Sequence, residues 1–333
     1  MVLHNTFLHP GGTMAHKSLS QVSFSDLMLN LKKGLNESLD KVNNLVDWQP
    51  IEKILGGIYN SVRGPKSYPP LTLFKALLIQ TWYDLSDYQL EEAMDDRLSF
   101  RRFVGLASSD SVPDHSTFSL FRTQLRERKL IEDVLNEVNR QLETHGQIIR
   151  KGTIVDATLV EASVKKPDQK DNGQAGKSNV DPDAEWVCRG SKRYFGYKAH
   201  MSVDSTKGFI LKAKLTTAKD FEGHVLEEIL PAKQEWIFAD KAYESKNNEA
   251  MLMKKGLKNG IMRKAARYIK LESMHRLRNR LISKTRQRIE RTFGTLKRWY
   301  GYTKVRYIGL SRNTLQMFLL CISFNLKKWM KAC

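Results

Sequence analysis

The feature that most constrains this chain is a change of periodicity near Gln147. Before it, apolar residues recur at helical spacing in one segment after another. After it, the stretch "QIIRKGTIVDATLVEA" (147–162) is rich in β-branched residues and carries Gly152, a strand signature. A chain of 333 residues that turns from helix to strand in this way accommodates an all-α region followed by an α/β region with its own sheet.

Leu27, Leu31, Leu35 and Leu39 predict a first helix from Phe24 to about Asn44. "PPLTLFKALLIQTWYDL" predicts a strong second one, its entry fixed by the paired prolines. "LSDYQLEEAMDD" follows, with Ser86 as N-cap and Gln89 completing a capping box. "SVPDHSTFSLFRTQL" (111–125) starts another under Asp114 or Ser116, and 129–145 continues the helical pattern. Residues 1–20 read as disordered, with Met14 a second candidate start, and 165–193 as a long polar loop. "YFGYKAHMSVD" and "FILKAKLTTA" read as strands around the turn "STKG". "FEGHVLEEIL" reads as a short helix, "EWIFAD" as a buried strand and "YESKNNEAMLMKKGL" as a helix. "NGIMRK" adds a strand, and Met274 to about Tyr300 a long helix. The expected organisation is a disordered 1–20, a helical domain at 21–146, an α/β domain at 147–307 and a C-terminal helix at 308–333 packed on it.

Charge narrows the partners. The formal net charge is +19. Residues 251–310 hold eighteen Lys or Arg against only Glu272 and Glu290, so most of the excess sits in one region. Localised positive charge points to a polyanion, and nucleic acid is favoured over a membrane surface because no exposed apolar anchor accompanies it. The most apolar run, "LQMFLLCISFNL", is too short to cross a bilayer. Cys188, Cys321 and Cys333 lack metal or disulfide spacing, and together with the absence of a secretory signal they suggest the cytoplasm.

Three acids stand out. Asp156 ends "GTIVD" and Asp240 ends "EWIFAD", each where an apolar strand emerges. Taken singly, strand-end aspartates are more often turn caps. Glu290 is the lone acid in "RQRIERTFGTLKRWYG" (286–301), beside a stripe formed by Ile289, Phe293, Leu296 and Tyr300. A surface pair with Arg286 accounts for one ion pair of about 0.3–0.5 kcal/mol, but not for the exclusion of every other acid from the tail. Three carboxylates can hold two Mg²⁺ ions about 3.5–4 Å apart, suited to in-line displacement at a phosphodiester. The bases would then neutralise phosphate.

"GTIVDATLVEA", "GYKAHMSVD", "IFADKAYES" and "RQRIERTFGTLKRWYG" resemble, in order, motifs of DDE transposases of bacterial insertion sequences, especially the insertion sequence five family. "PPLTLFKALLIQTWYDLSDYQLEEAMDDRLSFRRFVGL" with "VPDHSTFSLFR" resembles the helical domain of the same proteins, so the likeness spans roughly 20–330. It implies an RNase H-like catalytic domain and a triad of Asp156, Asp240 and Glu290 on two Mg²⁺, replaceable by Mn²⁺. Arg286, Glu290 and Lys297 match the family spacing around the last acid. Ser283 stands at a tyrosine position, and Ala242 replaces the usual glycine. The implied activity is hydrolysis at the element's ends followed by joining of the freed 3′-hydroxyl to target DNA, carried out by a homodimer on double-stranded terminal inverted repeats. A nuclease that cuts without joining and a domesticated DNA-binding relative are the alternatives. Expected DNA contacts are Arg286 and Lys297 near the acids, Arg288, Arg291, Arg298 and Lys304 along the backbone, and Lys241 beside Asp240. His200, His224 and Asp204 are read as structural, and Trp82, Tyr83, Phe100 and Phe103 as helical core rather than base-stacking platforms.

Overall fold

The computed structural model of the protein describes residues 17, 19, 36–58, 67–164, 180–265 and 269–333. Almost all of the expected disordered start (1–20), the alternative Met14 start, the front of the first predicted helix (24–35) and the first part of the predicted loop (165–179) lie outside the described residues.

The N-terminal part is all helical: α1 (Glu37–Leu45), α2 (Trp48–Leu55), α3 (Pro70–Tyr83), α4 (Asp87–Asp96), α5 (Leu98–Val104), α6 (His115–Glu127) and α7 (Leu130–Thr144). Local chemistry sets the boundaries. Pro70 occupies the first turn of α3, where its missing N–H has no intrahelical partner in any case. Ser86 caps α4, and Gln89 completes the capping box in both directions. Of the two caps weighed for α6 the structure uses Asp114, which accepts from the Thr117 N–H at 2.7 Å. Helix α3 is buried almost all round, and Leu73, Phe74, Leu77, Leu78 and Ile79 are fully inaccessible, so it is the central rod of this region.

The second part is a mixed sheet of six strands: β1 (Gly152–Glu161), β2 (Glu185–Arg189), β3 (Lys192–Asp204), β4 (Ile210–Thr217), β5 (Trp236–Ala239) and β6 (Lys258–Ile261), completed by α8 (Lys246–Lys254), α9 (Ser273–Trp299) and α10 (Leu310–Ala332). The order is β2-β3-β1-β5-β6, with β4 also on β3. β1, β3 and β4 are antiparallel, whereas β5 and β6 run parallel to β1. An antiparallel meander extended by two parallel strands, preceded by helices, is an RNase H-like α/β fold behind an all-α region. Asp204, read as a turn cap, takes that role: its carboxylate accepts from the backbone N–H groups of Thr206 and Lys207.

Two sequence readings change. The segment 165–193 is not all loop, because Glu185–Arg189 pairs with Lys192–Gly196 as a hairpin around Gly190, whose φ of 61° suits glycine. Its side chains are mostly exposed, so the apolar signal of a strand is missing. "FEGHVLEEIL" forms no α-helix; Glu222–His224 is a single 3₁₀ turn followed by irregular chain. The apolar residues Val225, Leu226, Ile229 and Leu230 still pack under the sheet, so the burial was legible and the helix was not.

β1 divides the core. Ile154 joins a cluster shared with the helical region, and Val155 faces a second one with Ile237, Ala239, Tyr243 and Leu252. The C-terminal helix ties the parts together. The buried Asn325 of α10 donates to Asn139 of α7 at 2.9 Å and to the Ile210 carbonyl of β4 at 2.8 Å, and accepts from the Ile210 N–H at 2.9 Å. Thus α10 contacts the helical region as well as the sheet.

Candidate active site

Parallel pairing of β1 with β5 aligns Val155 with Ala239, which sets Asp156 and Asp240 side by side. Asp156 does not end its strand as expected, because β1 continues to Glu161 on β3, whereas Asp240 lies just past the end of β5. Asp240 also starts a 3₁₀ turn, Lys241–Tyr243, and accepts the Tyr243 N–H at its backbone carbonyl at 3.0 Å. Helix α9 packs against β1 and β5, and Ile289, Phe293 and Leu296 anchor it in the core. Arg286 projects from its edge into the site. Its guanidinium donates to Asp156 Oδ2 at 2.6 Å and lies 3.5 Å from Asp240 Oδ1. One cation therefore bridges both aspartates. The Arg286 and Asp156 side chains are only 12% and 15% exposed, so the pair works in a weakly screened environment. Burial raises the Asp156 carboxyl above its ordinary range and the Asp240 charge adds to this, while Arg286 and the Ala157 N–H, 2.9 Å from Oδ1, pull it down.

A third acid reaches the cluster, one that the sequence reading passed over. The 3₁₀ turn holding Glu222 packs on the turn after Asp240, and Asn248 clamps the two by donating to the carbonyls of Gly223 (3.1 Å) and Tyr243 (2.8 Å). Lys198 Nζ lies 3.6 Å from the Glu222 carboxylate. Burial raises the Glu222 carboxyl; Lys198 opposes this, and the nearby charges of Asp156 and Asp240 add to it. The Tyr243 hydroxyl, wholly buried beside these acids, has no hydrogen-bond partner among the described residues. Its pKa is driven well above the usual value by burial, then by the charges of Glu222 and Asp156. The only sequence signal for Glu222 was an acid within a short apolar segment.

Glu290 lies one helical turn beyond Arg286, exposed, with its charge acting on that guanidinium. Among the described residues no three His, Cys, Asp or Glu side chains are grouped to hold a metal ion. Arg286 supplies the counter-charge to the paired aspartates, and the charge of the exposed Glu290 acts on the same guanidinium. The aspartate pair itself offers hard oxygen donors only, which suits Mg²⁺ rather than a softer ion.

The expected DNA contacts divide between surfaces. Lys297 is half-buried on the Arg286 side of α9, its pKa lowered by burial and then by Arg189 of the β2–β3 hairpin. Lys241 is exposed beside Asp240. Arg298 lies against the Trp299 ring, and the Lys304 side chain is exposed near Gly301 and Arg306. Arg288 and Arg291 face a separate groove between α9 and α10. His200 is fully buried with Nε2 2.9 Å from Thr216 Oγ1, and burial lowers its pKa to about 3, which keeps it neutral and structural. Trp82, Phe100 and Phe103 are core, while Tyr83 is partly exposed and packs on Phe100. No helix among the described residues is long and apolar enough to cross a membrane.

Two family descriptions match the chain: Transposase domain (DUF772) over residues 28–124, and Transposase DDE domain over residues 149–326. A cryo-EM structure of the piggyBac transposase synaptic complex with hairpin DNA is similar at 12% identity, covering 90% of this chain and 75% of that one, with a TM-score of 0.43.

Proposed function

This chain belongs to the transposase DDE domain family, and on that premise we propose that it is the transposase of a bacterial insertion sequence, closest in its motifs to the insertion sequence five family. It would hydrolyse a phosphodiester at each end of the element and join the freed 3′-hydroxyl to target DNA. It would act as a homodimer, since two ends are joined together. The observation that carries this reading is the aspartate pair: Asp156 within β1 and Asp240 just past the end of the parallel strand β5, bridged by Arg286 from a helix that also bears Glu290.

Asp156 and Asp240, with Glu290 as the third acid, would hold Mg²⁺, whose chemistry when bound is to activate the attacking oxygen and stabilise the leaving one. The remaining work falls to side chains. Arg286 fixes the Asp156 carboxylate and keeps two neighbouring negative charges compatible. Glu222, held by Lys198, and the buried Tyr243 hydroxyl shape the wall behind the aspartates. Lys297 and Lys241 offer cations to the phosphates flanking the scissile one, and positioning of this kind together with charge stabilisation supplies most of the rate enhancement in such displacements.

The test is a labelled duplex carrying the element's terminal repeat, incubated with Mg²⁺ and a target plasmid. Cleaved and joined products are expected. Asp156→Asn, Asp240→Asn and Glu290→Gln should each abolish both while duplex binding persists. Cleavage without joined product would leave a nuclease, and full activity in any of the three variants would refute the triad.

A further inference from the structure

A second groove lies elsewhere. It has a volume of about 560 Å³ and is walled by α9, α10 and the β3–β4 turn. Among the described residues six cations line it, Lys207, Arg288, Arg291, Lys327, Lys328 and Lys331, and no Asp or Glu does. Gly208 keeps one wall low: its φ is +74°, and a Cβ there would meet Lys328 Nζ at 3.3 Å. Trp299, 71% exposed, stands at one end.

The groove is turned away from the aspartates. At about 100° per residue, Arg288, Arg291, Thr292, Thr295 and Trp299 fall roughly 140–240° around the helix from Arg286. Between Arg288 and Trp299 the helix rises about 16 Å, the axial span of about five phosphates on one DNA strand, far more than a single anion occupies. Burial lowers the pKa of Lys327 and of Lys328; Lys331 adds to the first effect, while at Lys328 the buried Asp204 opposes it and Arg288 adds to it. Six cations crowded in one groove whose lining holds no acid are relieved by a polyanion.

We propose that this groove docks the phosphodiester backbone of double-stranded DNA, in a segment other than the one at Asp156 and Asp240. A straight duplex cannot lie on opposite faces of one helix at once. This rests on the proposed function only in the choice of DNA as the polyanion. It implies that the protein holds two DNA segments, one to each side of α9.

The test measures binding in chelator, so that it does not depend on cleavage. A fluorescent duplex of about 30 base pairs and arbitrary sequence is titrated with the wild-type chain and with Arg291→Ala/Lys331→Ala, two exposed positions, from about 50 to 200 mM salt. We expect the double variant to bind about tenfold more weakly near physiological salt, with a slope of log K on log salt shallower by about two. Arg291→Lys/Lys331→Arg should restore both values. Unchanged affinity and slope in the alanine variant would overturn the proposal, as would a loss confined to single-stranded RNA of equal length. Failure of metal-dependent cleavage in the wild-type chain would strike the proposed function and leave this result standing.

Discussion

Replacing Arg286 by Met removes the cation that bridges Asp156 and Asp240 while keeping most of the volume of its stem. Breaking a buried pair from one side leaves an uncompensated charge and costs about 3–5 kcal/mol of unfolding free energy. The low exposure of both partners places this pair in that class. Asp156 has an escape, because it can take up a proton. Its carboxyl is already raised from 3.8, by burial first, and two of the three influences that hold it down come from Arg286. In the variant it rises further. A carboxyl with a higher pKa folded than unfolded binds its proton more tightly when folded, so its contribution to stability is full below 3.8 and is lost as pH climbs through the folded value. The loss in Arg286→Met should therefore be largest near pH 8 and shrink by about 1.4 kcal/mol for each pH unit of the folded carboxyl's extra rise. Denaturant unfolding followed by circular dichroism at about pH 5 and pH 8 measures it. The Asp156→Asn/Arg286→Met double variant should lose less than Arg286→Met alone and show none of the pH dependence. A loss below about 1 kcal/mol at pH 8, or an equal loss at both pH values, would refute the account of Arg286 as the counter-charge of a buried acid pair.

Two further outcomes follow from interactions away from the site. Asn325→Leu strips partners from Asn139 and from both backbone groups of Ile210. At about 1–3 kcal/mol for each buried group left unpaired, thermal unfolding should show a loss above about 3 kcal/mol. Lys75 is buried over the Trp48 ring with its ammonium 2.8 Å from Asn43 Oδ1, and burial lowers its pKa to about 8. A lysine depressed in the folded state releases its proton there first, so stability should rise with pH between about 8 and 10.5, by roughly 3 kcal/mol at most. Lys75→Met should flatten that part of the pH–stability curve, and an unchanged slope would count against the reading.

Much of this architecture is written locally. Pro70, the Ser86–Gln89 box and the β-branched run into Asp156 act within a few residues, and the structure places α3, α4 and β1 where those signals lie. Asp156 and Asp240 stood out because each follows an apolar run, but only Asp240 closes its strand. β1 continues through Asp156 to Glu161 on β3, and the two acids meet because the parallel pairing with β5 stops at Val155 and Ala239. Glu222 could not be found this way. It reaches the aspartates through the packing of two 3₁₀ turns clamped by Asn248, a contact between residues that share no periodic pattern. Strand β2 was hidden because an edge hairpin with exposed side chains has no apolar alternation to display.

The sequence by itself determined the helix-to-sheet layout, the carboxylates that follow apolar runs and the concentration of positive charge in the last third of the chain, because these depend on residue type and short-range spacing. Only the tertiary structure decided which of those charges work together. Arg286 and Arg288 are two residues apart, yet one neutralises the aspartate pair and the other lines a groove completed by α10 and the β3–β4 turn. The division arises because a helix sends successive side chains in different directions, and which direction meets acid and which meets more base depends on the elements packed around it.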